Sequence, residues 1–395
     1  MTDVTRPGRP AAGSLLYNRT ARAIVYQVVL IATVIAVGWW LVDNTLTNLR
    51  QQDIATGFGF LTNRQAGFAI SESVIPYNET DTYLRAFIVG LLNTIKVALL
   101  GIVLATLLGT VIGIARLSPN WLLRKLSTAY IETIRNIPVL LQLIFWYTIL
   151  TETLPRPQQA LQAFDSVFLS NRGLFLPAPV DALGWWLALL GLLLSIPAVI
   201  WFRRVARAHQ DRTGEAWPTG LISVGIVVGL GVLGWLAGGA PAAFTSPELQ
   251  GFNFRGGARV SPEFLALLIG LTLYTAAFIA EIVRSGILAV SHGQTEAAMA
   301  LGFGRGLTLR LIILPQALRV IVPPMTSQYL NLTKNSSLAI AIGYPDLVST
   351  MNTSLNQTGQ AIECIAIAMS VYLAVSLGIS LFMNWYNARI ALRER

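Results

Sequence analysis

Apolar residues fall along this chain in eight long stretches separated by polar segments: 23–42, 86–115, 134–152, 182–202, 219–239, 263–284, 319–343 and 361–386. About 20 mainly apolar residues are needed for a helix to cross the hydrocarbon core of a bilayer. The pattern therefore predicts an all-α integral membrane protein of about eight transmembrane helices. Five of the stretches are plain. The third, sixth and seventh carry polar or charged groups, which are costly in a span and are often kept for function. The first run is too long for the core of a signal peptide, and no small-residue cleavage site clearly follows it, so it is expected to remain as an uncleaved span. The segments 43–83 and 151–181 carry Asn, Pro, Gly and acidic residues and are expected to be loops with at most short interfacial helices. No internal repeat stands out.

Composition agrees. Of the 395 residues 54% are hydrophobic and 12% are charged, with mean hydropathy +0.60. A soluble domain carries about twice that charge. The net charge of +9 does not point to nucleic acid, because the arginines lie between apolar runs and do not gather in one basic domain. Cys364 is the sole cysteine, which excludes an intrachain disulfide and a cysteine metal site. The two histidines, His209 and His292, lie far apart in sequence, which argues against a histidine-based metal or catalytic centre.

The basic residues also set a direction, since loops on the cytoplasmic side carry an excess of Lys and Arg. With a cytoplasmic N-terminus, the inner segments hold Arg6, Arg9, Arg19, Arg22, Arg116, Arg124, Lys125, Arg203, Arg204, Arg207, Arg212, Arg284, Arg305, Arg310, Arg319, Arg389, Arg393 and Arg395. The outer loops hold far fewer, among them Arg50, Arg64, Arg156, Arg172, Arg255 and Arg259. Both termini are expected to be cytoplasmic. Trp39, Trp40, Trp185, Trp186, Trp201 and Trp385 stand at span ends, as interfacial tryptophans do.

Residues 285–319, between the sixth and seventh stretches, then fall on the cytoplasmic side. Their skeleton is Glu296-Ala297-Ala298, three residues, Gly302, nine residues, Ile312, one residue, and Leu314-Pro315. Thr295 is expected to cap a short helix through Glu296 to Leu301, with Glu296 in its first turn, where the helix dipole favours a negative charge. The alanines keep that helix slim enough for a partner's groove. Gly302 and Gly304 are expected to break it, and a second helix, 307–314, to end near Pro315. The plain alternative is an ordinary loop with an amphipathic helix. The glycines Gly302, Gly304 and Gly306 are not a nucleotide loop: no strand precedes them, and the chain has no G-x-x-x-x-G-K-[ST].

That skeleton resembles the "EAA" motif of the membrane subunits of ABC importers. Two further stretches narrow the resemblance. YIETIRNIPVLLQLIFWY at 130–147 resembles the E-x-x-R-x-x-P-x-x-x-Q segment of the polar amino acid (HisMQ-like) permeases, with Glu132, Arg135, Pro138 and Gln142 at the matching positions. YTAAFIAEIVRSGIL at 274–288, with Glu281, Arg284 and Gly286, resembles that family's run into the coupling loop. The enlarged layout, with NTLTNL at 44–49, GFGFL at 57–61 and RLSPNW at 116–121, is similar to the general L-amino acid permeases of the Aap/Bzt type, and to their Q-type (BztB-like) more than their M-type subunit.

The resemblance implies a type I importer permease with a five-helix core, carried by 86–152 and 263–386. Segment 23–85 is then an added span and loop, and 153–262 an insertion containing 182–202 and 219–239. Segments 1–22 and 387–395 are the cytoplasmic ends. The resemblance also implies the partners: a separate ATPase subunit that uses ATP and Mg, a second homologous (M-type) permease subunit, a periplasmic amino-acid-binding protein, and the bilayer of the bacterial inner membrane. This chain itself is expected to bind no cofactor and no metal and to have no catalytic residue. Glutamate, glutamine, aspartate and asparagine are the implied cargo, with broader L-amino acids or another small polar solute as alternatives. An ion-driven transporter would need inverted repeats, and a membrane enzyme a catalytic cluster.

Polar groups inside the spans are the remaining candidates. Asn331, Lys334, Asn335, Ser336 and Ser337 crowd the seventh stretch. A lysine facing lipid costs about 2.5–3.5 kcal/mol on insertion scales, so these residues either line a translocation pathway, with or without a helix break, or hydrogen-bond to a partner helix. Glu132 with Arg135, and Glu281 with Arg284, share a helix face at three-residue spacing and read as structural ion pairs or as gating groups. Lys96 is expected to snorkel to the outer surface, with Asn93 and Thr94 at the same mouth.

Overall fold

The structure, a computed structural model, describes residues 19–51 and 56–390; the sequence positions Arg6, Arg9, Arg393 and Arg395 lie outside the described residues. The helices are α1 (Arg19–Gln51), α2 (Phe60–Asn63), α3 (Tyr83–Arg116), α4 (Trp121–Asn136), α5 (Val139–Thr148), α6 (Leu183–Thr213), α7 (Thr219–Ala237), α8 (Pro262–Leu288), α9 (His292–Ala300), α10 (Arg305–Thr308), α11 (Leu314–Asn335), α12 (Leu347–Thr358) and α13 (Ala361–Ile390). Among the described residues, seven helices are long and apolar enough to cross a membrane, and an eighth span exists if the bent pair formed by α4 and α5 counts as one. Helix α1 continues through NTLTNL, which the sequence placed in a loop.

The third stretch is the main correction. Residues 134–152 do not form one straight helix: α4 ends at Asn136, and the chain turns by 104° before α5 and the π-helical turn Ile149–Thr153. Proline disfavours the helical conformation at the residue before it, and Ile137 is extended at φ −99°, ψ 128°. The break leaves carbonyls without helical partners. Gln142 supplies them, its Nε2 donating to Ile134 O and to Ile137 O, both at 2.9 Å.

At the centre, α3 crosses α8 closely. A Cβ on Gly113 would stand 2.6 Å from the Ala280 carbonyl, so only glycine fits there. Helices α5, α11 and the 3-10 turn Ser336–Ile342 pack around this pair, with Leu143, Leu267, Leu271, Ile279 and Leu332 fully buried. Helices α6 and α7 form a hairpin of their own.

One end of the helices carries strands that the sequence reading did not anticipate. These are β1 (Leu161–Ala163), β2 (Val167–Ser170), β3 (Gly173–Leu176), β4 (Ala178–Pro179), β5 (Phe244–Thr245), β6 (Glu248–Gln250), β7 (Asn253–Arg255) and β8 (Ala258–Val260). Antiparallel pairing gives a four-stranded sheet in the order β1-β2-β3-β8 and two two-stranded pieces, β4-β5 and β6-β7. Phe254 of β7 stacks on Phe168 and Phe175, with centroids at 4.5 and 4.9 Å. Strand β8 leads directly into Ser261, which caps α8 by accepting from Phe264 N at 3.1 Å.

The same end holds Lys96, half-buried, in an ion pair with the segment before α3. Its Nζ lies 2.5 Å from Glu72 Oε1 and 4.2 Å from the centre of the Phe264 ring. Glu72 Oε2 also accepts from Ser261 Oγ at 2.6 Å. Asn93 and Thr94 are fully covered: Asn93 Nδ2 donates to Glu72 O and Pro345 O, and Thr94 Oγ1 accepts from Leu347 N. Asn93 thus fastens the segment 56–82 to α3, and Thr94 holds the first residue of α12.

Candidate functional site

At the opposite end of α8 the chain makes an elbow. Helix α9 begins at His292 after Ser291, four residues earlier than the capping pattern predicts, so Thr295 lies inside the helix and Glu296 beyond its first turn. Glu296 is exposed and meets His292 Nδ1 at 3.0 Å. Ala298 is buried against the chain, while Ala297 faces outward. The helix ends in a Schellman turn: Phe303 N donates to Ala298 O at 3.0 Å and Gly302 N to Met299 O at 2.9 Å. Gly302 sits at φ +81°, a conformation that costs other residues about 1–2 kcal/mol. Gly304 has ordinary backbone angles and starts α10.

Helix α10 does not stop at Pro315. It passes through a π-helical turn, Leu309–Ile313, into α11, where Pro315 occupies the first turn and its missing N–H leaves no helical bond unmade. Gln316 ties the elbow together, donating to Ile312 O at 2.9 Å and to Gln294 Oε1 at 3.4 Å. Ile312 is half-buried and Leu314 exposed. Met299, Leu301, Phe303 and Leu307 turn apolar surface outward around the Gly302 bend.

Behind the elbow, Glu281 and Arg284 are paired on α8: Arg284 Nη2 lies 2.5 Å from Glu281 Oε1. Arg116 Nη1 donates to the other oxygen, Glu281 Oε2. Sequence spacing could not show this third member, because α3 and α8 meet only in the fold. Glu132 and Arg135 form no ion pair. Both are exposed on α4, and the Arg135 guanidinium stands over the Phe278 ring at 5.0 Å.

The polar residues of the seventh stretch divide by direction. Ser336 is fully buried and donates to Thr333 O at 2.7 Å. Asn331 and Lys334 are exposed, and Asn335 and Ser337 half-buried. Helix α11 changes to a 3-10 turn at Ser336, ended by Gly343 at φ +77°. Lys334, which makes no ion pair among the described residues, lines an open groove of about 340 Å³ with Ser337, Met351, Met369 and Tyr372. Asp346, just beyond, is fully buried and caps α12, accepting from Ser349 N at 2.8 Å. Burial pushes its carboxyl up to about 7, against weaker lowering by hydrogen bonds from the backbone and Tyr372. The Asp346-x-x-Ser349 spacing was a readable cap signal for a helix the sequence reading left unassigned.

Comparison with known proteins agrees with this arrangement. The family model for the binding-protein-dependent transport system inner membrane component matches residues 260–395, which include the elbow. The putative amino-acid ABC transporter permease protein YhdX of Escherichia coli K12 is 53% identical, over 97% of this chain and 98% of its own length. The general L-amino acid transport system permease protein AapQ of Rhizobium johnstonii is 48% identical over 97% of this chain and 95% of its own. The glutamate/glutamine/aspartate/asparagine transport system permease protein BztB of Rhodobacter capsulatus is 46% identical over 96% of each. With near-full-length identity of this order, and with helices built to cross a bilayer, the chain belongs to the permeases of amino-acid ABC transporters.

Proposed function

We propose that this multi-pass permease imports L-amino acids, with glutamate, glutamine, aspartate and asparagine as first candidates, from the periplasm to the cytoplasm across the bacterial inner membrane. It is a transport subunit and not an enzyme. A separate ATPase subunit binds ATP and Mg, an M-type permease completes the pathway, and a periplasmic binding protein delivers the substrate. The α9 end and both termini are cytoplasmic, in keeping with the arginine distribution. The observation that carries this reading is the elbow: an exposed short helix, locked by the Gly302 turn and rimmed by outward-facing Met299, Leu301, Phe303 and Leu307. Such a shape seats in a soluble partner's groove and passes displacement into α8 and α11. Lys334, unpaired beside its groove, supplies an ammonium for a substrate carboxylate on the route.

The test is reconstitution of the chain with its ATPase, M-type permease and binding protein in liposomes, followed by uptake of labelled glutamate. ATP-dependent uptake that unlabelled glutamine, aspartate and asparagine suppress is expected. Uptake driven by an ion gradient without ATP would overturn the mechanism. ATP-driven uptake of other solutes only would overturn the substrate assignment.

A further inference from the structure

The α6–α7 hairpin ends in a basic cluster that the transport reading does not use. Helix α6 spans 31 residues, roughly 46 Å at 1.5 Å per residue, against about 30 Å of hydrocarbon. Its apolar run from Leu183 to Phe202 accounts for roughly 30 Å of that length. Arg203, Arg204 and Arg207 follow at once, at the depth of lipid phosphates. None of them, nor Arg212, has an ion-pair partner among the described residues, although Asp211 and Glu215 are close in sequence. His209 is committed to the Trp217 ring at 4.6 Å. Arg203 Nε points across the hairpin to Ser223 Oγ at 3.3 Å.

Immediately beneath that bond lies a groove of about 400 Å³, walled by Trp201 and Phe202 of α6 and floored by Gly225, Gly229 and Leu233 of α7. A Cβ on Gly225 or Gly229 would meet nothing within 4 Å, so neighbouring side chains leave this floor open. We propose that the groove and the arginines above it form one binding site for an anionic phospholipid, with acyl chain along Gly225–Leu233 and phosphate at Arg203, Arg204 and Arg207. Charge decides the occupant. Helix α1 carries Arg19 and Arg22 at the corresponding end, and a second copy of the hairpin would bring the same arginines, so both are repelled where a phosphate is attracted. The site requires only that the chain spans a membrane.

The experiment is native mass spectrometry of the full chain released from nanodiscs of equal phosphatidylglycerol and phosphatidylcholine. The wild type should retain phosphatidylglycerol selectively. The variant R203Q/R204Q/R207Q should lose that retention by roughly tenfold or more, since each arginine near an anionic lipid contributes a factor of about five. Gly229→Leu, whose Cβ would meet nothing within 4 Å and whose side chain would occupy the floor, should reduce retention while the helical circular dichroism stays constant. Equal retention of both lipids by the wild type, or unchanged retention in both variants, would overturn the site. A disulfide between Gly229→Cys and Ala36→Cys on α1 would do the same, by showing a helix in the groove.

Discussion

Arg116, the last residue of α3, donates to Glu281 on α8, and Arg284 holds the other oxygen of the same carboxylate. One carboxylate therefore bridges two guanidiniums where the central helix pair reaches the elbow, and the cluster keeps a net positive charge. The Glu281 side chain is 26% exposed, so its loss should cost less than the 3–5 kcal/mol of a fully buried pair, about 1–3 kcal/mol. Glu281→Gln should lower the thermal unfolding midpoint of the purified chain. Arg116→Gln should lower it less, because Arg284 keeps its partner. Equal stability of all three proteins would show that the cluster contributes nothing.

The break at Pro138 gives a second prediction. Gln142→Leu keeps the volume but strips both donors from Ile134 O and Ile137 O. Two part-buried acceptors would lose their partner, at about 1 kcal/mol each. Differential scanning fluorimetry should show a lower midpoint than wild type, with Gln142→Asn intermediate or equally low. A midpoint unchanged in the leucine variant would mean that water replaces the side chain.

Asp346 predicts a pH dependence. Its folded-state pKa, about 7, lies above the ordinary carboxylate value near 3.8, so the folded chain binds this proton more tightly than the unfolded one. Stability from this group is present at low pH and falls as pH rises from about 4 to about 7, then levels off. Asp346→Asn keeps the helix cap, since Asn caps as well as Asp, and should flatten that slope. The check is the midpoint difference between variant and wild type at several pH values; a difference constant across this range would contradict the assignment.

At the elbow, Gly302→Val should disturb the turn more than Gly302→Asn, because a β-branched residue tolerates φ +81° worst. Membrane insertion should be normal in both. Substrate-stimulated ATP hydrolysis and uptake, measured together in the reconstituted importer, should part company in the valine variant and stay linked in the asparagine one. Normal coupling in the valine variant would remove Gly302 from the mechanism.

What could be read from the sequence followed from period and length. Long apolar runs located α1, α3, α6, α7, α8, α11 and α13, because twenty apolar residues have few other uses. The EAA spacing located the elbow. The limits have physical causes too. The 104° break hides in an apolar run, and hydropathy does not register that Pro138 forces Ile137 out of the helix. The strands are two to four residues long and draw their stability from pairings such as Leu174 with Val260, far apart in the chain. Arg116 with Glu281, and Lys96 with Glu72, are likewise meetings of distant segments. Thr295 misled because a good capping residue also fits inside a helix.

Helix α8 runs from the β8 junction to the elbow with its one proline, Pro262, at its first position, whereas α11 carries Pro323 and Pro324 inside it and begins at a π-helical turn. The two helices that leave the elbow therefore differ in stiffness. Over its roughly 40 Å, α8 has no internal proline at which to bend. Helix α11, beside it, has two. The helix that carries Lys334 is thus the one of the two with internal prolines at which it can bend.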